Sequence, residues 1–340
     1  MIPYILVIFF LSLLVGWMLV GVLRRLTVRW GLIDLPNARS SHAKPTARGG
    51  GIAIVLVTLA MVLIEWTTHG ISGPLAAAWL IGGGLVAGVG LLDDLRGLPA
   101  IVRGGVHLLA AVVLLTAVGP RALVGSLLWP PGLWAAAWVV GMAVIVWSIN
   151  LFNFMDGIDG LAAAQCVFVA ASGALLLALG RGLEGAALPL VAMAGAAAGF
   201  LIWNAPPAKI FMGDVGSGFI GFGLIAGALA TSGHGPVSLW TWLVLNGLFV
   251  VDSTVTVLTR LFRGQRIYQA HRTHVYQRLA RRWSSHGWVT AAYMSINLIW
   301  CLPWAVATTQ SPGNAPVVAL AALLPLCVAA IAAGAGKPDA

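Results

Sequence analysis

Eleven runs of about 20 mostly apolar residues follow one another along this chain, each long enough to cross a bilayer as a helix. They lie at about 2–23, 50–68, 73–92, 103–119, 133–150, 161–179, 186–203, 217–232, 237–260, 289–308 and 315–334. The fourth is the weakest, because Arg103 and His107 fall near its start. This succession leaves no stretch long enough for a soluble domain. The sequence therefore predicts an all-α, polytopic membrane bundle of about 11 transmembrane helices, forming one domain over residues 1–340. Composition agrees, with 9% charged residues against about 25% in soluble domains. The first run is expected to remain as a spanning helix, since no basic residue precedes it and Arg24-Arg25 follow.

The basic residues test this layout. With the N-terminus outside, 17 of the 19 Lys and Arg fall on the inner side, and only Arg121 and Arg181 fall outside. That bias is the positive-inside pattern, and it predicts an outer (periplasmic) N-terminus and a cytoplasmic C-terminus. It also accounts for the net charge of +9, so membrane lipid is expected as a partner and nucleic acid is not. Trp66, Trp129, Trp134, Trp240 and Trp242 mark outer boundaries, and Trp30, Trp203, Trp283 and Trp288 inner ones. Cys166, Cys301 and Cys327 are scattered in apolar segments without metal spacing.

Only ten residues are acidic, and carboxylates in or near lipid are costly enough to need a reason. On this topology Asp93, Asp94, Asp156, Asp159, Asp214 and Asp252 all face the cytosol or the inner ends of helices. Converging carboxylates suit a hard divalent cation and a phosphate-bearing substrate. Asp93-Asp94 closes the third segment, and two adjacent carboxylates repel unless a cation or proton intervenes. Asn150, Asn153, Asp156 and Asp159 recur every three positions, near one face of a helix, where they could grip a metal-bound phosphate or a sugar. Met212-Gly213-Asp214-Val215-Gly216-Ser217 opens a helix with glycines that let backbone amides approach phosphate oxygens.

Two inner connections add basic and polar groups. The first ends in Lys44-Pro45-Thr46-Ala47-Arg48-Gly49-Gly50-Gly51, with Lys44, Thr46 and Arg48 suited to phosphate. The second carries His271-Arg272-Thr273-His274-Val275-Tyr276-Gln277, where His274 could hydrogen-bond a diphosphate or move a proton. Asp252 lies about two turns before Arg260 and is expected to pair inside the bundle.

In order along nearly the whole chain, these motifs resemble those of the polyprenyl-phosphate N-acetylhexosamine-1-phosphate transferases. That family includes the initiating enzymes of O-antigen and teichoic-acid synthesis and, more distantly, the muramoyl-pentapeptide transferase of peptidoglycan. The resemblance implies a Mg²⁺-dependent transfer of sugar-1-phosphate from a UDP-N-acetyl sugar to undecaprenyl phosphate, with Mn²⁺ as the expected substitute metal. It places the site on the cytoplasmic face of the bacterial inner membrane. Asp93, Asp94, Asp156, Asp159, Asp214 and His274 match its motif positions; Asp93, Asp94, Asp156, Asp159 and His274 are expected to be catalytic, and Asp214, with Asp156 and Asp159, to hold the metal. Lys44, Thr46, Arg48, Asn150, Asn153, Gly213, Ser217, Arg272, Tyr276 and Gln277 are the expected substrate contacts. Assembly is left open, a homodimer included.

The late loop departs from the family's Asp-x-x-His-x-His-His pattern. His271 stands in place of the Asp, and only His274 of the three histidines remains. The departure resembles the O-antigen branch acting on N-acetylfucosamine-type or N-acetylquinovosamine-type sugars, and it argues against the muramoyl-pentapeptide enzyme. A cation-coupled transporter is the alternative, but such a protein places its ionisable residues near the membrane midplane.

Overall fold

The computed structural model describes residues 2–34, 45–124, 133–180, 185–232, 237–266 and 271–338. Each of the eleven apolar segments is helical. In chain order the helices are α1 (Ile2–Arg29), α2 (Ile52–Thr67), α3 (Gly73–Arg96), α4 (Ala100–Val118), α5 (Trp134–Met155) and α6 (Leu161–Gly180). They continue as α7 (Gly185–Asn204), α8 (Asp214–Thr231), α9 (Leu239–Leu245) and α10 (Gly247–Phe262). Val275–Trp283 forms a short helix, α11, before α12 (His286–Gln310) and α13 (Pro312–Ala332).

Nine of these are long and apolar enough to span, or ten if the bent pair α9–α10 is one span, among the described residues. The eleventh expected span is α2, which has only 16 residues. At 1.5 Å per residue it reaches about 24 Å, short of a hydrocarbon core of about 30 Å. The ninth predicted segment is broken at Asn246, where its two halves meet at 79°.

That break frees backbone groups inside the bundle, where they need a partner. The Leu245 carbonyl accepts from Gln165 Nε2 at 3.3 Å, and Gln165 Oε1 accepts from Asn297 Nδ2 at 2.6 Å. Gln165 and Asn297 are both fully buried. A polar pair on α6 and α12 thus supports the bend.

Helices α6, α7 and α8 form the centre, while α1 and α13 lie at the lipid-facing periphery. Small residues set these approaches. A Cβ at Gly195 or Gly199 of α7 would run into the backbone of α1 at Phe9, Leu13 and Trp17. One at Gly221 of α8 would meet the backbone of Ser148 and Ile149 on α5, and there Ser148 Oγ donates to the Gly221 carbonyl at 2.8 Å.

A three-stranded sheet closes one end of the bundle, in the order β1 (Ile33–Asp34), β2 (Thr46–Arg48), β3 (Ile210–Phe211). β1 and β2 pair antiparallel, with Ile33 opposite Ala47. β2 and β3 run parallel, with Arg48 opposite Phe211. The ladder continues past the strands: Gly50 N donates to Phe211 O and Gly51 N to Met212 O, both at 2.9 Å. A Cβ on Gly51 would collide with the Gly216 backbone. The glycines after Arg48 therefore let the first connection lie against the start of α8.

Candidate active site

At that end of the bundle, the sheet register delivers Arg48 to the first residue of α8. Its Nη2 lies 2.8 Å from Asp214 Oδ1 and 2.8 Å from Asp94 Oδ1. Burial alone would lower the guanidinium pKa, but the carboxylates of Asp94 and Asp214 outweigh it and raise the value.

α8 begins after Gly213, whose φ of +79° favours glycine. Its first N–H groups have no partner within the helix, and Asp94 of α3 supplies one. Asp94 Oδ1 accepts from Asp214 N at 2.9 Å, and Oδ2 from Val215 N at 3.2 Å. A carboxylate at a helix N-terminus is also favoured by the helix dipole. A Cβ at Gly213 would strike that carboxylate, and one at Gly90, a turn before Asp94, would strike the Asp214 backbone. The Asp94 side chain is 1% exposed. It holds the Asp214 turn in place, and its oxygens are taken up by amides and Arg48.

Its neighbour Asp93 faces a different way. Asp93 accepts from Leu98 N and from Arg103 Nη1, the latter at 2.6 Å. Arg103 Nη1 also lies 3.3 Å from Asp214 Oδ2. Asp93, Asp94 and Asp214 are thus knitted together by two arginines. Arg103 was legible only as a charge weakening the fourth span. Its position near the start of α4, ten residues after Asp93, is the signal that could have identified it.

α5 brings the amides. Asn153 Nδ2 donates to Asp214 Oδ2 at 3.3 Å, and Asn153 Oδ1 accepts from Ser217 Oγ at 3.4 Å. Asn150 Nδ2 donates to Val146 O at 2.7 Å and lies 3.5 Å from His107 Nδ1 on α4, a neighbour that sequence reasoning also missed. Asp156 ends α5 as its C-cap. Burial pushes its carboxyl well above the ordinary range, and the charge of Asp214 adds to this. Such a carboxyl takes up a proton or a cation readily.

Asp159 does not join this cluster through any direct contact. Its Oδ2 accepts from Ala208 N at 3.1 Å and lies 3.4 Å from His286 Nδ1 on α12. It ties the α5–α6 turn to the segment before β3. Oδ2 is thus engaged away from Asp93, Asp94 and Asp214, which sets Asp159 apart from the carboxylates bound by Arg48 and Arg103.

The late loop docks beneath α5. Tyr276 is buried, and its hydroxyl donates to Phe154 O at 2.9 Å. Burial raises the phenol pKa well above its usual value, with Asp252 and Asp156 adding to the effect. Gln277 Oε1 accepts from His274 N at 3.3 Å. Tyr276 and Gln277 therefore secure the loop, and their polar atoms hold protein partners. Thr46 and Arg272 lie on β2 and just before α11. Lys44 lies outside the described residues.

The donor chemistry is all oxygen: Asp93, Asp156 and Asp214, with the Asn153 carbonyl. No three acidic, His or Cys side chains among the described residues already surround one point. A cation that takes one or two carboxylates and fills its shell with water and phosphate oxygens fits such a set. All these groups sit at one end of the bundle, not at its middle.

Residues 76–232 match the Glycosyl transferase family 4 profile. The chain is 32% identical over 304 residues to the decaprenyl-phosphate N-acetylglucosaminephosphotransferase of Mycolicibacterium smegmatis, covering 78% of this chain and 73% of that protein. It is 29% identical over 288 residues to the probable undecaprenyl-phosphate N-acetylglucosaminyl 1-phosphate transferase of Bacillus subtilis, covering 83% and 79%. It is also 32% identical over 294 residues to the phospho-N-acetylmuramoyl-pentapeptide-transferase of Kocuria rhizophila, covering 69% and 75%. The similarity thus spans most of the bundle and includes the helices that build the carboxylate cluster. The chain belongs to the polyprenyl-phosphate N-acetylhexosamine-1-phosphate transferases of glycosyl transferase family 4, and it is a sugar-phosphate transferase.

Proposed function

We propose that this enzyme transfers an N-acetylhexosamine-1-phosphate from a UDP-sugar to undecaprenyl phosphate, releasing UMP, at the cytoplasmic face of the bacterial inner membrane. The observation that carries this reading is the double use of α5 and α8. Each holds polar groups of the cluster near one end, Asn153 on α5 and Asp214 and Ser217 on α8. Each also lines an apolar cleft of about 550 Å³, through Ala137, Trp147, Leu151, Leu224 and Ala228, and Val250 of α10 lines it too. A phosphate head on a long isoprenoid tail has the same division between polar and apolar parts. The relatives' names support the acceptor and sugar classes, and the positive-inside charge supports the cytoplasmic side. Tyr276 and Gln277, in place of two family histidines, support initiation of O-antigen or a related envelope polysaccharide.

Mg²⁺ is the proposed cofactor, with Mn²⁺ as substitute, held by Asp214 with Asp93 and Asp156. When bound it would neutralise charge on the donor diphosphate. The chain's own groups do the remaining work. Arg48 and Arg103 present N–H groups suited to phosphate oxygens. The acceptor's second pKa is near 6, so it is largely ionised at neutral pH and needs little help from a base. Its oxygen bonds to the donor β-phosphorus as the bond to the bridging oxygen breaks, and UMP leaves. Asp93 acts on the acceptor phosphate through Arg103, whose guanidinium it holds, while Asp94 is occupied at the start of α8. His274 stands by the diphosphate.

UMP release from purified protein in nanodiscs should require UDP-N-acetyl sugar, undecaprenyl phosphate and Mg²⁺ together. Release that persists without the lipid would refute direct transfer. Asp214→Asn should insert normally and lose nearly all transfer, and retained turnover at saturating donor would remove Asp214 from the site. A panel of UDP-sugars then identifies the donor.

A further inference from the structure

Asp252 was expected to be a bundle-internal pair, yet five donors surround it. It lies on α10 and is 3% exposed. Oδ1 accepts from Val275 N at 2.9 Å and from Thr256 Oγ1 at 3.3 Å. Oδ2 accepts from Tyr276 N at 3.0 Å and from the Tyr293 hydroxyl of α12 at 2.8 Å. His274 Nδ1 lies 3.3 Å from Oδ1. Asp252 thus serves the first turn of α11 as Asp94 serves the first turn of α8: a carboxylate on one helix accepts two successive amides of another.

The consequences for His274 follow from chemistry. An ionised carboxylate only accepts hydrogen bonds, so Nδ1 carries the proton and Nε2 is left for other work. Ring rotation is blocked as well. The imidazole stacks on His271 at 5.0 Å between centroids, on Tyr276 at 5.7 Å and on Phe154 at 6.2 Å. Phe154 is the residue after Asn153, so this packing locates His274 against the turn that carries the cluster. His274 is itself 2% exposed, which leaves it little freedom to find its orientation unaided.

We propose that Asp252 is a positioning residue for sugar-phosphate transfer, fixing the tautomer and orientation of His274 while anchoring the loop that carries it. The proposal rests on the reading that His274 acts at the donor diphosphate. Tyr293 supports the carboxylate from the far side through α12, and Thr256 supports it from one turn along α10.

A double-mutant cycle on the purified enzyme separates this role from a purely structural one. Asp252→Asn should lower kcat about 10- to 100-fold, the range typical of groups that orient a functional imidazole, with a smaller change in KM for the UDP-sugar. On a His274→Ala background the same substitution should change kcat by less than about threefold, because the residue it orients is gone. Equal factors in both backgrounds would overturn the proposal and leave Asp252 a helix cap. An unchanged kcat in His274→Ala alone would remove His274 from the reaction and the proposal with it, which distinguishes the two failures. If Asp252→Asn does not accumulate as folded protein, Tyr293→Phe carries the same cycle. It removes one donor to the carboxylate and leaves both amide contacts intact. It should lower kcat severalfold in the wild-type background and leave His274→Ala unchanged; the same loss in both backgrounds would overturn the proposal.

Discussion

The two members of the Asp93-Asp94 pair do different jobs, and only their surroundings tell them apart. Asp94 caps α8 from another helix, so Asp94→Ala should orphan two amides at the start of that helix. Leaving buried partners unsatisfied costs about 1–3 kcal/mol, so the melting temperature in detergent should drop along with activity. Asp93→Ala should lose activity with a smaller change in melting temperature. A second residue-level expectation concerns acid stability. Burial pushes the His271 imidazole from 6.5 down to about 4, with the charge of Arg260 acting in the same direction and that of Asp252 opposing it. Between those values the unfolded chain binds more protons than the folded one, so stability falls as pH drops through that window. His271→Gln should therefore flatten the decline in melting temperature between about pH 6.5 and 4. A decline as steep as that of the wild type would assign it to other groups.

At the scale of elements, helix ends and glycines organise the site. The parallel register of β2 on β3 brings two motifs more than 160 residues apart into contact, and Gly51 and Gly216 allow the final approach. Sequence spacing placed Gly213 at a turn, but the need for Gly90 became visible only once α3 lay across the start of α8. The bend between α9 and α10 has a similar logic. Gln165→Leu should leave the Leu245 carbonyl without its partner in a dry environment, at a cost of about 1–3 kcal/mol. Because α9 and α10 both wall the apolar cleft, the KM for undecaprenyl phosphate should rise more than that for the UDP-sugar. An unchanged melting temperature and acceptor KM would show that the break holds without the Gln165–Asn297 pair.

At the scale of the whole molecule, the connections after α1, α3, α5, α7 and α10 lead to one end of the bundle. The C-terminal segment reaches the same end, where Gly336 N donates to Thr273 O at 2.9 Å. The positive-inside pattern predicts that this end faces the cytoplasm. A membrane-impermeant thiol reagent applied to intact cells should label Ser311→Cys, between α12 and α13, and spare Gly264→Cys, after α10. The reverse pattern would invert the topology and remove cytoplasmic UDP-sugars as donors.

The eleven apolar runs determined the helices, and the order of the motifs determined the family, because both are written in local composition and spacing. Two spans fell short for reasons of length and geometry: α2 is only 16 residues long, and Asn246 breaks the ninth. The site was legible as a set of residue types. The tertiary structure alone decided how those types divide. It gave Asp94 to a helix terminus and Asp159 to a turn, left Asp93, Asp156 and Asp214 near the arginines and amides, and added Arg103. It also moved Asp252 from the margin to the support of His274. The physical reason is that a carboxylate's role is set by which donors reach its oxygens, and in this bundle those donors come from helices distant in sequence.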